Sequence, residues 1–328
     1  MTMIFTRAPL RISLGGGGTD IPSYYREHGG FLVAGAIDKY VYMLTHTVFQ
    51  RRFRLKYSAL EEVDDPRDIK HPILREALTR YWSGSPLEIA SLADIPAGTG
   101  LGSSGAFTVC LLKALAIAGR QATTPSAIAE VACHIEIDLL GEPIGKQDQY
   151  AAAHGGICAY TFNRDDTVTV ESLNLSEETS DALRFHLLLF YTGATRSASA
   201  ILRDQDTRTR NLDKKMLANL DRTKEIGLES RVLLEAGDLD RYAELMHEHW
   251  LNKRARSSGM SSSAIDDLYD LARRNGAIGG KIVGAGGGGF LLLYTTDAAA
   301  TRAALADAGA PEVRFGFDFQ GCTGTEYQ

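Results

Sequence analysis

The sequence predicts an α+β protein divided between two lobes. Three observations carry this reading. Strand-like and helical segments follow one another in uneven order, which argues against regular βαβ winding. At 328 residues the chain is longer than one core usually organises, so two domains are expected. The texture also changes near residues 175–195, from mixed strand and helix to a strongly helical stretch over 198–275. The boundary is placed there, giving units 1–185 and 186–328, although no Pro/Gly linker marks it.

Each element follows from local pattern. Residues 3–14 are β-prone and end in four glycines, 15–18. Residues 31–48 are rich in β-branched and aromatic side chains and read as one or two strands. A helix is expected over 71–82, with Pro72 in its first turn. Residues 87–93 alternate loosely and lead into a glycine-rich loop. Two helices follow, 104–118 and 125–140, the second with Pro125 just after Thr123-Thr124. Residues 155–170 read as a hairpin around Asn163-Arg164-Asp165-Asp166, and 185–191 as a buried strand. Beyond the helical stretch, short strands over 279–283 and 289–294 flank a second glycine cluster. A helix over 297–308 and a final strand over 312–318 complete the reading.

Bulk properties exclude several classes. A net charge of −6 does not favour nucleic acid or an anionic membrane as partner. No window approaches the ~20 apolar residues of a spanning helix, and residues 1–7 lack a signal-peptide core. A soluble, cytoplasmic protein is expected. Cys110, Cys133, Cys158 and Cys322 form no C-x-x-C pair and are expected as free thiols. His247 and His249 are the one close histidine pair. They fall on a helical stretch, where i and i+2 point apart, so no zinc site is expected.

The chemistry concentrates in Asp94-Ile95-Pro96-Ala97-Gly98-Thr99-Gly100-Leu101-Gly102-Ser103-Ser104-Gly105, directly before an apolar helical segment. Glycines admit close backbone approach, and a helix N-terminus offers free N–H groups and positive potential to phosphate. A P-loop would need a lysine after the glycines, and none is present. Gly100-x-Gly102-x-x-Gly105 fits the dinucleotide fingerprint. However, Pro96-Ala97-Gly98-Thr99 separates it from the preceding strand, and residues 120–124 offer no acid about twenty positions on. From these residues alone, a phosphate cradle and a simple helix-opening turn both stay open.

Pro96-x-Gly98-x-Gly100-Leu101-Gly102-Ser103-Ser104-Gly105 resembles the signature of the GHMP kinases, the galactokinase, homoserine kinase, mevalonate kinase and phosphomevalonate kinase superfamily. Ala8-Pro9-Leu10-Arg11-Ile12-Ser13-Leu14-Gly15-Gly16-Gly17-Gly18-Thr19-Asp20 is similar to its N-terminal motif. Lys281-Ile282-Val283-Gly284-Ala285-Gly286-Gly287-Gly288-Gly289-Phe290 is similar to its C-terminal motif. The three occur in family order and span nearly the whole chain.

The resemblance implies a ribosomal S5 domain 2-like N-terminal lobe and a ferredoxin-like C-terminal lobe, with the site between them. It implies ATP held by Pro96, Gly98, Gly100, Leu101, Gly102, Ser103 and Ser104, and Mg²⁺ held by Ser104 and Glu136. It implies Asp148, in Gly145-Lys146-Gln147-Asp148-Gln149-Tyr150, as the proton acceptor, with Arg11 beside the accepting oxygen. The sugar would meet Gly16, Gly17, Gly18, Thr19, Asp20, Gly286 and Gly287. For Asp20, a helix N-cap before Ile21-Pro22 is the competing role.

The strings around 7–25 and 145–152 most resemble the heptose 7-phosphate kinase branch, which phosphorylates an anomeric hydroxyl to feed nucleotide-heptose for surface polysaccharides. Fucokinases share the glycine-rich opening and are the alternative. Some superfamily members are non-catalytic sensors; the presence of Arg11, Ser104, Glu136 and Asp148 together favours an enzyme. A sugar phosphate substrate would demand a basic anchor. Arg196 is the expected one, with Lys39, Arg203, Arg254, Arg256 and Lys281 as unranked alternatives. The partners are then ATP and a sugar phosphate, with the choice between monomer and homodimer open.

Overall fold

The computed structural model describes residues 3–193 and 198–327. Two sheets organise it. The larger is built on β1 (Met3–Gly15) and β2 (Gly30–Thr47), which pair antiparallel along nearly their whole length. In between, α1 (Pro22–His28) is a single short helix. β2 is long enough to serve two neighbours. Its second half pairs with β5 (Leu87–Ala93), beyond which lie β3 (Phe53–Lys56) and β4 (Leu60–Val63). Its first half pairs with β6 (Ile157–Phe162), which carries β7 (Val168–Ser172).

The helices between β4 and β6 cover this sheet. They are α2 (Pro72–Tyr81), α3 (Ser103–Ala118), α4 (Pro125–Cys133) and α5 (Gln147–His154). α3 is apolar around most of its circumference, which suits a helix buried on several sides. Its Val109, Leu111 and Leu115 share one core with Leu10, Ile12 and Leu14 of β1 and Leu32 and Val33 of β2.

The second sheet is antiparallel, in the order β8 (Leu187–Tyr191), β10 (Phe290–Thr295), β9 (Ala277–Ile282). Before it comes α6 (Glu177–His186). The helical stretch holds α7 (Ala198–Arg210), α8 (Lys214–Ala236), α9 (Leu239–Arg256) and α10 (Ser263–Arg274), and α11 (Ala298–Asp307) follows β10. Trp250 and Tyr269 pack with Leu188, Leu291 and Leu293 in a separate core. α8 also lies on β1 and β2, and the Tyr242 hydroxyl of α9 donates to the Leu14 carbonyl, so the two halves share a wall.

Several expectations need correction. The helix expected over 125–140 changes register: α4 ends at Cys133 and a π-helical turn covers His134–Leu139. Phe185 is not in a buried strand. It closes α6 and is 71% exposed, because Ser176 caps a helix whose first turn is acidic and last turn basic. The strand expected over 312–318 is reduced to isolated bridges, Glu312 with Phe190 and Phe317 with Ile37. That segment therefore crosses from one sheet to the other. The chain ends in β11 (Thr323–Tyr327), which pairs with β1, so the terminal strand lies on the sheet of the first half rather than with residues 186–310.

Candidate active site

The site forms where α3, α5 and β1 meet the turn between β9 and β10. Gly102, in the left-handed region, precedes α3 and turns the loop so that Ser103 and Ser104 open the helix. A Cβ on Gly105 would stand 2.7 Å from the Asp148 Cβ and 2.9 Å from the Gln149 nitrogen. Glycine there lets α3 and α5 touch, which seats Asp148 against the loop. A Cβ on Gly100 would stand 2.7 Å from the Val283 carbonyl oxygen, so the two glycine-rich turns pack against each other.

Arg11 is held from three sides. Its backbone N–H donates to the Leu101 carbonyl (3.0 Å) and its Nη1 to the Gly100 carbonyl (2.6 Å). Its Nε and Nη2 reach Asp148 Oδ1 at 2.8 and 2.6 Å. Arg11 is buried while Asp148 keeps some solvent access, so the pair presents a carboxylate to an open cavity. That cavity has a volume of about 380 Å³, within the range of small-molecule sites.

Glu136 lies on the π turn and is 1% exposed. It accepts from Ser104 Oγ (2.5 Å) and Gln149 Nε2 (2.9 Å). Among the described residues no cation lies within ion-pair distance of it, and burial pushes its carboxyl above the ordinary range. Ser104 and Glu136 thus offer hard oxygen donors and an uncompensated buried charge, which fits a divalent cation such as Mg²⁺. No group of three His, Cys, Asp or Glu side chains gathers as a metal site among the described residues.

At the other end, Asp20 is fully enclosed. It accepts from the backbone N–H of Gly18 (3.1 Å) and Gln147 (3.1 Å) and from Gln147 Nε2 (3.2 Å). Burial, with the Asp148 charge adding to it, raises its carboxyl above the usual range. It does not cap α1, whose N-cap is Ile21. Ser13 Oγ and Gln147 Oε1 line the same cavity, buried and without a hydrogen-bond partner.

The structure sorts the expected residues. Arg11, Gly17, Gly18, Asp20, Gly98, Gly100, Gly102, Ser103, Ser104, Glu136 and Asp148 face one cavity. Pro96, Leu101, Gly16, Thr19, Gly286 and Gly287 do not. Pro96 accepts from the Thr99 hydroxyl in the loop, and Leu101 is a core residue. The Thr19 hydroxyl lies 2.9 Å from the carbonyls of Gly16 and Phe31 and fixes the 15–20 turn. Gly286 and Gly287 pack on Met260, and it is Gly284 and Ala285 that reach the cavity. Arg196 lies outside the described residues. Lys39 pairs with Asp38 and Arg254 with Asp266, both away from the cavity.

The sequence reading named Arg256 and Lys281 as unranked anchors but missed His249 and Lys253, and with them the buried basic wall that all four form. His249, Lys253 and Arg256 stand on one face of α9, and Lys281 on β9. The i, i+4, i+7 spacing of the first three was the available signal. Lys281 Nζ is 3.2 Å from His249 Nδ1. Burial, then the neighbouring positive charges, brings Lys281 down to about 7 and Lys253 and His249 well below their usual values. His247 turns instead to Tyr269, so the two histidines diverge as expected.

Residues 70–156 match the family described as GHMP kinases N terminal domain, and residues 230–310 match GHMP kinases C terminal. The chain belongs to the GHMP kinases. Membership makes it an ATP-dependent kinase with the two-lobed α+β fold. It is 29% identical over 299 residues to a D-glycero-alpha-D-manno-heptose 7-phosphate kinase of Campylobacter jejuni, covering 87% of both chains. It is 26% identical to a bifunctional fucokinase/GDP-fucose pyrophosphorylase of Arabidopsis thaliana, over 85% of this chain but only 28% of that protein. In fold it superposes on a D-glycero-D-manno-heptose 1-phosphate kinase from Bacteroides thetaiotaomicron with a TM-score of 0.81, at 23% identity over 99% of each chain. Among the described residues, no helix of this GHMP kinase is long and apolar enough to cross a membrane.

Proposed function

We propose that this GHMP kinase transfers the γ-phosphoryl group of ATP to the anomeric hydroxyl of D-glycero-D-manno-heptose 7-phosphate. The product would be the 1,7-bisphosphate, whose anomeric phosphate suits later nucleotidyl activation. The observation that carries this reading is the similarity to the Campylobacter jejuni heptose 7-phosphate kinase across 87% of both chains. The cavity agrees with it, because a carboxylate–arginine pair shares one cavity with polar and cationic groups able to meet a sugar phosphate.

In this reading the loop N–H groups and the α3 N-terminus take the ATP phosphates. Ser104 and Glu136 hold Mg²⁺, which when bound neutralises charge on the transferring group. Arg11 fixes Asp148 through Oδ1 and stabilises negative charge near the acceptor oxygen. Asp148 takes the hydroxyl proton. Asp20, Ser13 and Gln147 bind sugar hydroxyls, which give the two orphaned atoms partners.

The test is an ADP-coupled assay over heptose 7-phosphate, heptose, L-fucose, mannose and galactose. Heptose 7-phosphate is expected to give the highest kcat/KM, and a higher value for L-fucose would overturn the assignment. Asp148→Asn is expected to lower kcat by roughly 10²–10⁴. Near-normal turnover would remove Asp148 as the base.

A further inference from the structure

We propose that Lys253, Arg256 and Lys281 anchor the non-transferred phosphate of the sugar substrate. The inference rests on the sugar phosphate reading above and names the residues that would select it. All three side chains are almost fully enclosed, at 6%, 4% and 2% exposure, and all three line the cavity. Their partners are neutral. Lys253 Nζ donates to the carbonyls of Ile282 (2.9 Å) and Gly284 (2.5 Å). Arg256 donates to Asn219 Oδ1 (2.8 Å), Gln205 Oε1 (3.2 Å) and Thr223 Oγ1 (2.7 Å). Among the described residues no carboxylate lies within 4 Å of any of the three, and each keeps N–H groups to spare.

Buried like charges with no carboxylate in contact are unfavourable and call for an anion, and Asp20 offsets only Arg256, from beyond ion-pair distance. The depressed values of Lys281 and Lys253 express the same shortfall. A phosphate dianion supplies the charge, and the Arg256 fork can meet it with two parallel hydrogen bonds.

Arg256 stands beside the turn assigned to the sugar, while Lys253 reaches the Gly284 turn that packs on Gly100. A Cβ on Gly18 would stand 2.5 Å from Arg256 Nη1, and Gln205 joins Arg256 to the Gly18 carbonyl (2.8 Å). Gly18 and Asp20 belong to the turn assigned to the sugar, whereas the ATP phosphates have the α3 N-terminus. Arg256 therefore meets the acceptor at the sugar turn, and Lys253 and Lys281 extend the wall from there toward Arg11.

The test compares one heptose with and without its 7-phosphate, in wild type, Arg256→Gln and Lys281→Met. The preference for the phosphorylated sugar, as a ratio of kcat/KM, is expected to fall roughly 10- to 100-fold in each variant, mainly through KM. Equal losses on both sugars would overturn the anchor while leaving the kinase reading intact. If wild type phosphorylates neither heptose, the substrate reading fails. The anchor is then read by calorimetric titration of inorganic phosphate with the non-hydrolysable analogue AMP-PNP filling the ATP loop. Binding lost in both variants supports the anchor, and binding retained, or absent from wild type, overturns it. Should Arg256→Gln unfold, Arg256→Lys keeps the charge and removes the fork, and an intermediate loss of preference is expected.

Discussion

Glu136 shows how one residue can be costly to the fold and useful to the site. Its carboxylate is buried, raised above its usual range and without a cation among its described neighbours. Glu136→Gln removes the charge but keeps an oxygen for Ser104 and an amide of similar shape beside Gln149. The ligand-free protein is therefore expected to hold or gain melting temperature, while the stabilisation by added Mg²⁺ disappears in a thermal-shift titration. A lower melting temperature with an unchanged Mg²⁺ response would make Glu136 a structural residue only. Sequence alone could not orient this side chain, because its flanks Ile135 and Ile137 are both apolar. The π turn buries Ile135 and Glu136 together, a pairing that regular helical spacing does not reveal.

Elements set what the residues can reach, and the α3–α5 contact is the tightest example. Gly105→Ala would favour helix by up to about 1 kcal/mol, yet its methyl meets the backbone at Gln149. α5 must shift and carry Asp148 with it. Because displacements near 1 Å can cost about 10²-fold, kcat is expected to fall far more than the unfolding midpoint does. Wild-type kcat in this variant would show that the contact does not position Asp148. Elements with strong local pattern were legible: β1, β2, α2, β10 and the hairpin of β6 and β7 fall where alternation and turn residues put them. β3, β4 and β11 were not, since four- or five-residue strands at or next to a sheet edge carry little apolar pattern. The glycine loop was legible as a phosphate cradle through its motif, whereas the basic wall was legible only as two unranked candidates, Arg256 and Lys281. His249, Lys253 and Arg256 look like a solvated helix face until the cleft closes over them.

Across the whole molecule the enclosed charges of opposite sign impose a pH profile. Lys281 ordinarily titrates near 10.5 and is brought to about 7 in the fold, and Lys253 moves the same way. Between those values the unfolded chain binds more protons than the native one, so ligand-free stability rises with pH above 7. One such lysine can account for up to about 5 kcal/mol over that range. Asp20 and Glu136, raised above 3.8 and 4.5, bind protons more tightly when folded, so their contribution to stability falls as pH climbs past those values. Carboxylates held low by surface arginines, such as Asp65 at about 2, titrate in a more acid window and do not enter here. The ligand-free protein should therefore pass through a stability minimum on the acid side of that rise, measurable as melting temperature from pH 5 to pH 10. Lys281→Met should raise that minimum and flatten the alkaline rise, because the buried charge is gone. A phosphorylated sugar should fill the same trough by supplying the counter-charge to Lys253, Arg256 and Lys281. A profile that peaks near pH 7 without ligand, and that Lys281→Met does not alter, would mean the wall is neutralised within the fold and has no unmet demand for an anion.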